Sequence, residues 1–160
     1  VKEDQNKPPT SKNNEGLADR LPDELMAKYK AQTCACCYIV ECLKVAAALK
    51  LWCDRGYRDV EFSVPLALGR KKFFVDVLAK KEDQVVGVVC MPRLHLRWLR
   101  CHIKRLNHCL PPDSYIVIVF PSTTGKRVSK AAFLADEVWV TDETNSKVAS
   151  MIFTTVFHKG

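Results

Sequence analysis

A long apolar run is the first thing this chain lacks: no stretch of about 18 residues reads as a membrane span, and no segment reads as a signal peptide with its apolar core. The expectation is a soluble, cytoplasmic protein with no membrane partner. The chain opens on Val1 rather than methionine, as a processed or trimmed form would. Apolar residues are scarce there too. In "VKEDQNKPPTSKNNEG" only Val1 stands among Lys, Asn, Glu and Pro, too little to offset the entropy of ordering the segment. Residues 1–16 are therefore read as a disordered polar tail and 17–160 as the folded part. No repeat and no second composition regime divides that part, and 48% hydrophobic content supplies one substantial core, so one domain is expected.

A phosphate-binding P-loop is missing as well. "PSTTGKR", residues 121–127, has Phe120 where the motif needs glycine and Arg127 where it needs Ser or Thr. What survives is a looser reading, in which Thr123, Thr124, Lys126 and Arg127 open a predicted helix whose free amides attract a backbone phosphate.

Acid is absent from one long stretch. Residues 93–110 carry Arg93, Arg97, Arg100, Lys104 and Arg105 with no carboxylate, a local charge of +5. Residues 70–81 carry Arg70, Lys71, Lys72, Lys80 and Lys81 against Asp76, or +4, so the remainder of this +7 chain sums to −2. A field concentrated in this way favours a polyanion, and nucleic acid is the commonest one.

Cysteine, by contrast, is plentiful, with eight residues. Cys34-Ala35-Cys36-Cys37 contains a C-x-x-C, but Cys101, His102, His108 and Cys109 do not complete it at standard zinc spacing. Buried thiols or disulfides are expected rather than zinc, and disulfides in an intracellular chain would point to a hyperthermophilic, archaeal-type source.

The order of elements follows from periodicity. Cys42, Val45, Leu49 and Trp52 step by three and four, predicting one long helix over residues 21–55 closed by Gly56. "DVEFSVPLAL", "KFFVDVLAK" and "QVVGVVCM" read as three strands joined by tight turns at Gly69-Arg70 and Lys81-Glu82-Asp83. A helix over 93–110 follows, then the buried strand "SYIVIVFP", a short helix through "KRVSKAAFLA" capped by Ser122 or Thr123, the strand "DEVWVTD", and "ASMIFTTVFH" as strand or helix. The fold class is α/β: one mixed sheet flanked by helices, with an α-β-β-β-α-β core.

One aspartate, Asp76, sits in the second strand among Phe73, Phe74, Val75, Val77 and Leu78, where an ionised carboxylate needs a partner. With Glu41 on the preceding helix, this pattern resembles the PD-(D/E)xK nuclease superfamily over most of residues 35–140, much as in archaeal Holliday-junction resolvases. The resemblance implies a restriction-endonuclease-like fold in which Glu41 and Asp76 share a site, with Asp76 and Val89 on one face of adjacent strands. Where the superfamily has Glu-x-Lys, this chain has Val89-Cys90-Met91, and a register shift to Val88 or Cys90 does not restore the motif. The resemblance therefore implies a vestigial site of Glu41, Asp76, Val89 and Met91, with no cleavage and no cofactor. Its lost partner would have been Mg²⁺, a hard cation that takes oxygen ligands.

Binding evidence comes from the basic helix. Leu96, Leu99, Ile103, Leu106 and Leu110 form one stripe, and Arg93, Arg97, Arg100 and Lys104 form another about 120° away, so one face packs while the other meets phosphates. Trp98 either packs or stacks on a base, and His95, His102 and His108 are expected as polar surface. The favoured reading is a nucleic-acid-binding protein, for RNA or DNA, that uses Arg70, Lys71, Lys72, Arg93, Arg97, Arg100, Lys104, Lys126 and Arg127. The alternatives are a structural RNA-binding subunit of a ribonucleoprotein such as an archaeal ribosome, and a Mg²⁺-dependent nuclease whose acid has migrated to Glu61, Asp83 or Asp113.

Overall fold

The computed structural model describes residues 21–32, 37–141 and 153–158, with backbone alone for 122–126 and 153–158. The expected polar tail, Cys34 and Cys36 lie outside these residues. A six-stranded mixed sheet runs in the order β1 (Asp59–Leu68), β2 (Lys71–Lys81), β3 (Gln84–Cys90), β4 (Tyr115–Phe120), β5 (Glu137–Thr141), β6 (Phe153–His158). The first three strands form an antiparallel meander, β3, β4 and β5 are parallel, and β6 returns antiparallel. Both hairpin turns lie where glycine and turn residues place them, with Gly69 at φ 61° and Glu82 at φ 55°.

The long helix expected over 21–55 is two helices, α1 (Asp23–Gln32) and α2 (Tyr38–Leu49), and α2 continues into a wider π turn over Lys50–Asp54. Cys37 has extended backbone (φ −65°, ψ 150°), so α2 starts afresh after it. α1 buries only Leu25, whereas α2 is enclosed from Cys42 to Ala48, which its alanine run permits at close helix-to-sheet approach. Gly56 ends this segment at φ 72°, the left-handed position that an exit of this kind requires.

The sheet separates two apolar layers. On one face α1 and α2 pack on Val60, Phe62, Val77, Ala79, Val86, Val88, Cys90, Val117, Val119 and Trp139. On the other, α3 (Leu96–Cys109) and a 3₁₀ helix (Ser122–Leu134) pack on Phe73, Val75, Val89, Met91, Ile116, Ile118, Phe120 and Val138. The basic helix thus starts at Leu96 rather than 93, capped by His95 Nδ1, which accepts from the Trp98 amide at 3.2 Å. The cap expected from Ser122 or Thr123 is not the start of the following element, which opens directly after Pro121.

The β1–β2 hairpin changes faces along its length. Val60 and Phe62 point to the α1/α2 layer, but Val64 and Leu66 join the other one; Val77 and Ala79 likewise face α2 while Phe73 and Val75 face α3. The switch falls at Ser63, which has φ 47°, and at Asp76, between the paired Phe62·Val77 and Val64·Val75. A local irregularity of this kind re-aims side chains, and here it turns Ser63 and Asp76 toward α2.

Candidate functional site

Lys44 is the residue that sequence reasoning missed. It has no exposed surface, and its ammonium donates to Glu41 Oε1 at 2.9 Å, one turn back on α2, and to Ser63 Oγ at 2.5 Å on β1. The signal was present in "YIVECLKVAAALKLW": Lys44 is a charge enclosed by Leu43, Val45 and alanines in a helix that is apolar all round. Asp76 on β2 joins the same cluster. Its Oδ2 accepts from the Cys90 amide at 2.7 Å. Burial pushes its carboxyl up to about 6, against the Cys90 hydrogen bond and the Lys44 charge, while Glu41 pushes in the same upward direction. Glu41 Oε2 is buried without a hydrogen-bond partner among the described residues.

Glu41 and Asp76 therefore come together as the resemblance implied, but the third position does not. Val89 and Met91 point into the α3 layer, with Leu99, Ile103 and Phe120, on the opposite face from the residues that meet α2. The residue of β3 that faces α2 beside Asp76 is Cys90, because side chains alternate along the strand and Val86, Val88 and Cys90 share that face. Cys90 is a buried cysteine. Among the alternative acids, Glu61 lies on β1 opposite Leu78, Asp83 falls at the turn at the other end of β3, and Asp113 precedes β4.

A divalent cation does not fit this donor set. A hard cation requires several oxygens, yet Glu41 Oε1 is held by an ammonium, and among the described residues no three His, Cys, Asp or Glu gather at one point. The same observation bears on zinc: of the described cysteines, Cys42 and Cys90 are buried, Cys109 is half-buried, and Cys37, Cys53 and Cys101 are exposed. Burial pushes the Cys42 thiol up to about 11.

Beyond the carboxyl end of β3 lies a cleft of about 890 Å³. Tyr38 and Ile39 from the head of α2 form one wall, Pro92, Arg93 and Leu94 from the turn after β3 another, and Arg127 of the 3₁₀ helix a third. Two of the expected phosphate contacts, Arg93 and Arg127, are thereby brought together from distant segments. Arg97, Arg100 and Lys104 continue from Arg93 along α3, all exposed. At the far end Leu68 of the β1–β2 hairpin borders a groove with Lys104, Arg105 and His108, and the exposed Arg70, Lys71 and Lys72 follow it in the turn. The Lys126 side chain lies outside the described residues.

One aromatic expectation changes. His102 is buried rather than surface-polar, edge-on to Phe73 and stacked on Trp98 at 4.6 Å; burial, then Arg105, lowers its pKa to about 4. Trp98, with its ring on His102, remains 47% exposed. Arg100 lies over the exposed ring of Phe133.

A second cleft, at the start of β3, is lined by Arg55, Tyr57, Lys81, Glu82, Asp83 and Tyr115. Its main cation is already engaged: Arg55 forms a two-pronged pair with the buried Glu137, which also accepts from Trp139 Nε1 at 3.2 Å. This cluster ties the end of α2 to β5 and is structural.

No protein-family model matches the chain, and no curated protein matches it. Among solved structures it is similar to an FdxN element excision controlling factor protein from Anabaena variabilis, at 14% identity, with 74% of this chain and 97% of that chain covered and a TM-score of 0.46.

Proposed function

We propose that this chain binds nucleic acid on a nuclease-like α/β scaffold and does not cleave it. The observation that carries the proposal is the placement of Arg93 and Arg127 on one cleft, extended by Arg97, Arg100 and Lys104 along an α3 face that has no acid. Guanidinium forks pair bidentately with phosphate oxygens, and a row of them on a rigid helix fixes a backbone without reading bases. The absence of cleavage is supported by the neighbouring cluster. Lys44 supplies, from within the chain, the positive charge beside Glu41 and Asp76 that a metal would otherwise bring to them.

One observation favours a second reading, a Mg²⁺-dependent nuclease: the buried, unpartnered Glu41 Oε2 stands in the same cluster as the half-buried Asp76. A single set of assays separates the two. Anisotropy with labelled RNA and DNA is expected to show binding that weakens about 10²-fold or more between roughly 50 and 200 mM salt, as release of counterions by four or more contacts requires. The same substrates incubated with Mg²⁺ or EDTA are expected to stay intact. Metal-dependent cutting that is lost in Asp76→Ala would replace the first reading by the second.

A further inference from the structure

We infer that the cleft between α2, the turn after β3 and the 3₁₀ helix holds one unpaired nucleotide, so that the preferred ligand is a single strand or a splayed end rather than an intact duplex. This rests on the nucleic-acid reading above and names its substrate class. A surface that only attracts a polyanion needs charge and nothing else. Here the two guanidiniums share a cleft with Tyr38 and Ile39, which are 41% and 42% exposed at adjacent positions. Large apolar side chains side by side on an open rim are where a ligand with an apolar face gains contact. A nucleotide offers both halves of the required chemistry: a phosphate for Arg93 and Arg127, and a base whose flat face suits Tyr38.

Charge and size agree with this occupant. No carboxylate is among the described residues lining the cleft, and the nearest acid on α2, Glu41, sits one turn further on with Oε1 on Lys44. A volume of about 890 Å³ lies within the range of small-ligand sites, roughly 300–1,000 Å³. A duplex keeps its bases stacked inside and would present only backbone here, leaving Tyr38 and Ile39 without a partner.

The test uses the full chain and four labelled probes at one low salt concentration: single-stranded RNA, single-stranded DNA, a blunt duplex, and that duplex with an unpaired overhang. The expected result is about tenfold tighter binding of the single strands and the overhang than of the blunt duplex, the scale of one base on one aromatic ring. Tyr38→Ala is expected to remove that preference while keeping duplex affinity, and Ile39→Ser to reduce it. Arg93→Ala combined with Arg127→Ala lowers affinity for every probe. Equal affinity of the unaltered protein for single strand and blunt duplex would overturn this inference and leave the broader reading standing, as would a preference that survives both wall variants. Failure to bind any probe would overturn both.

Discussion

Lys44 has no exposed surface, and Glu41 and Ser63 supply oxygens within hydrogen-bond distance of its side-chain nitrogen. Removing one member of a buried pair costs about 3–5 kcal/mol, since the other stays buried and uncompensated. Lys44→Met is expected to lose about that much stability in urea unfolding, and adding Glu41→Gln and Asp76→Asn to recover most of it. Asp76 behaves differently. Burial pushes its carboxyl up from the ordinary 3.8 to about 6, against the Cys90 amide and Lys44. A carboxyl raised on folding adds stability at low pH, and that stability is lost as pH rises through about 6. Asp76→Asn can still accept from the Cys90 amide, so it is expected to stabilise by about 1–3 kcal/mol near pH 8 and to change little near pH 4. His102 slopes the other way. Held near 4 by burial, it stays neutral in the fold, and stability falls as pH drops below about 6.5 because the unfolded chain takes up the proton first. Measuring each variant against its parent at both pH values separates the two contributions.

At the scale of elements, α3 divides its work by face: Leu99, Ile103 and Leu106 are buried, and Arg97, Arg100 and Lys104 are exposed. Charge reversal of those three to Glu is expected to abolish nucleic-acid binding in anisotropy while shifting urea stability by no more than about 0.5 kcal/mol, as exposed substitutions do. This division was legible because a period of 3.6 residues is carried by residue type alone. The strands were legible for the same reason, and β1 runs over the span that its alternation and turns predict. The break between α1 and α2 was not, since the apolar spacing continues across it and extended backbone at Cys37 leaves no mark in composition. Glu41 and Asp76 could be paired only through the resemblance. Which residue of β3 stands beside them could not be, because the face switch at Ser63 and Asp76 depends on backbone geometry, and it exchanges Val89 for Cys90. Lys44 escaped notice since a lone lysine in a helix is ordinarily at the surface.

Across the whole molecule the basic groups form one line, from the cleft with Arg93 and Arg127, along α3 for about 20 Å at 1.5 Å per residue, to the hairpin turn of Arg70, Lys71 and Lys72. The hairpin that carries this turn has a second role. Its inner half is clamped by α2 and its outer half by α3, with the crossing point at Ser63 and Asp76. Melting either layer alone would strip one half of a strand pair that the other half still holds, and the shared hydrogen-bond ladder would have to break in its middle. The two layers are therefore expected to melt as one cooperative unit, with equal calorimetric and van't Hoff enthalpies for the described domain. Two separated heat-absorption peaks would show that the crossing strands transmit no such coupling.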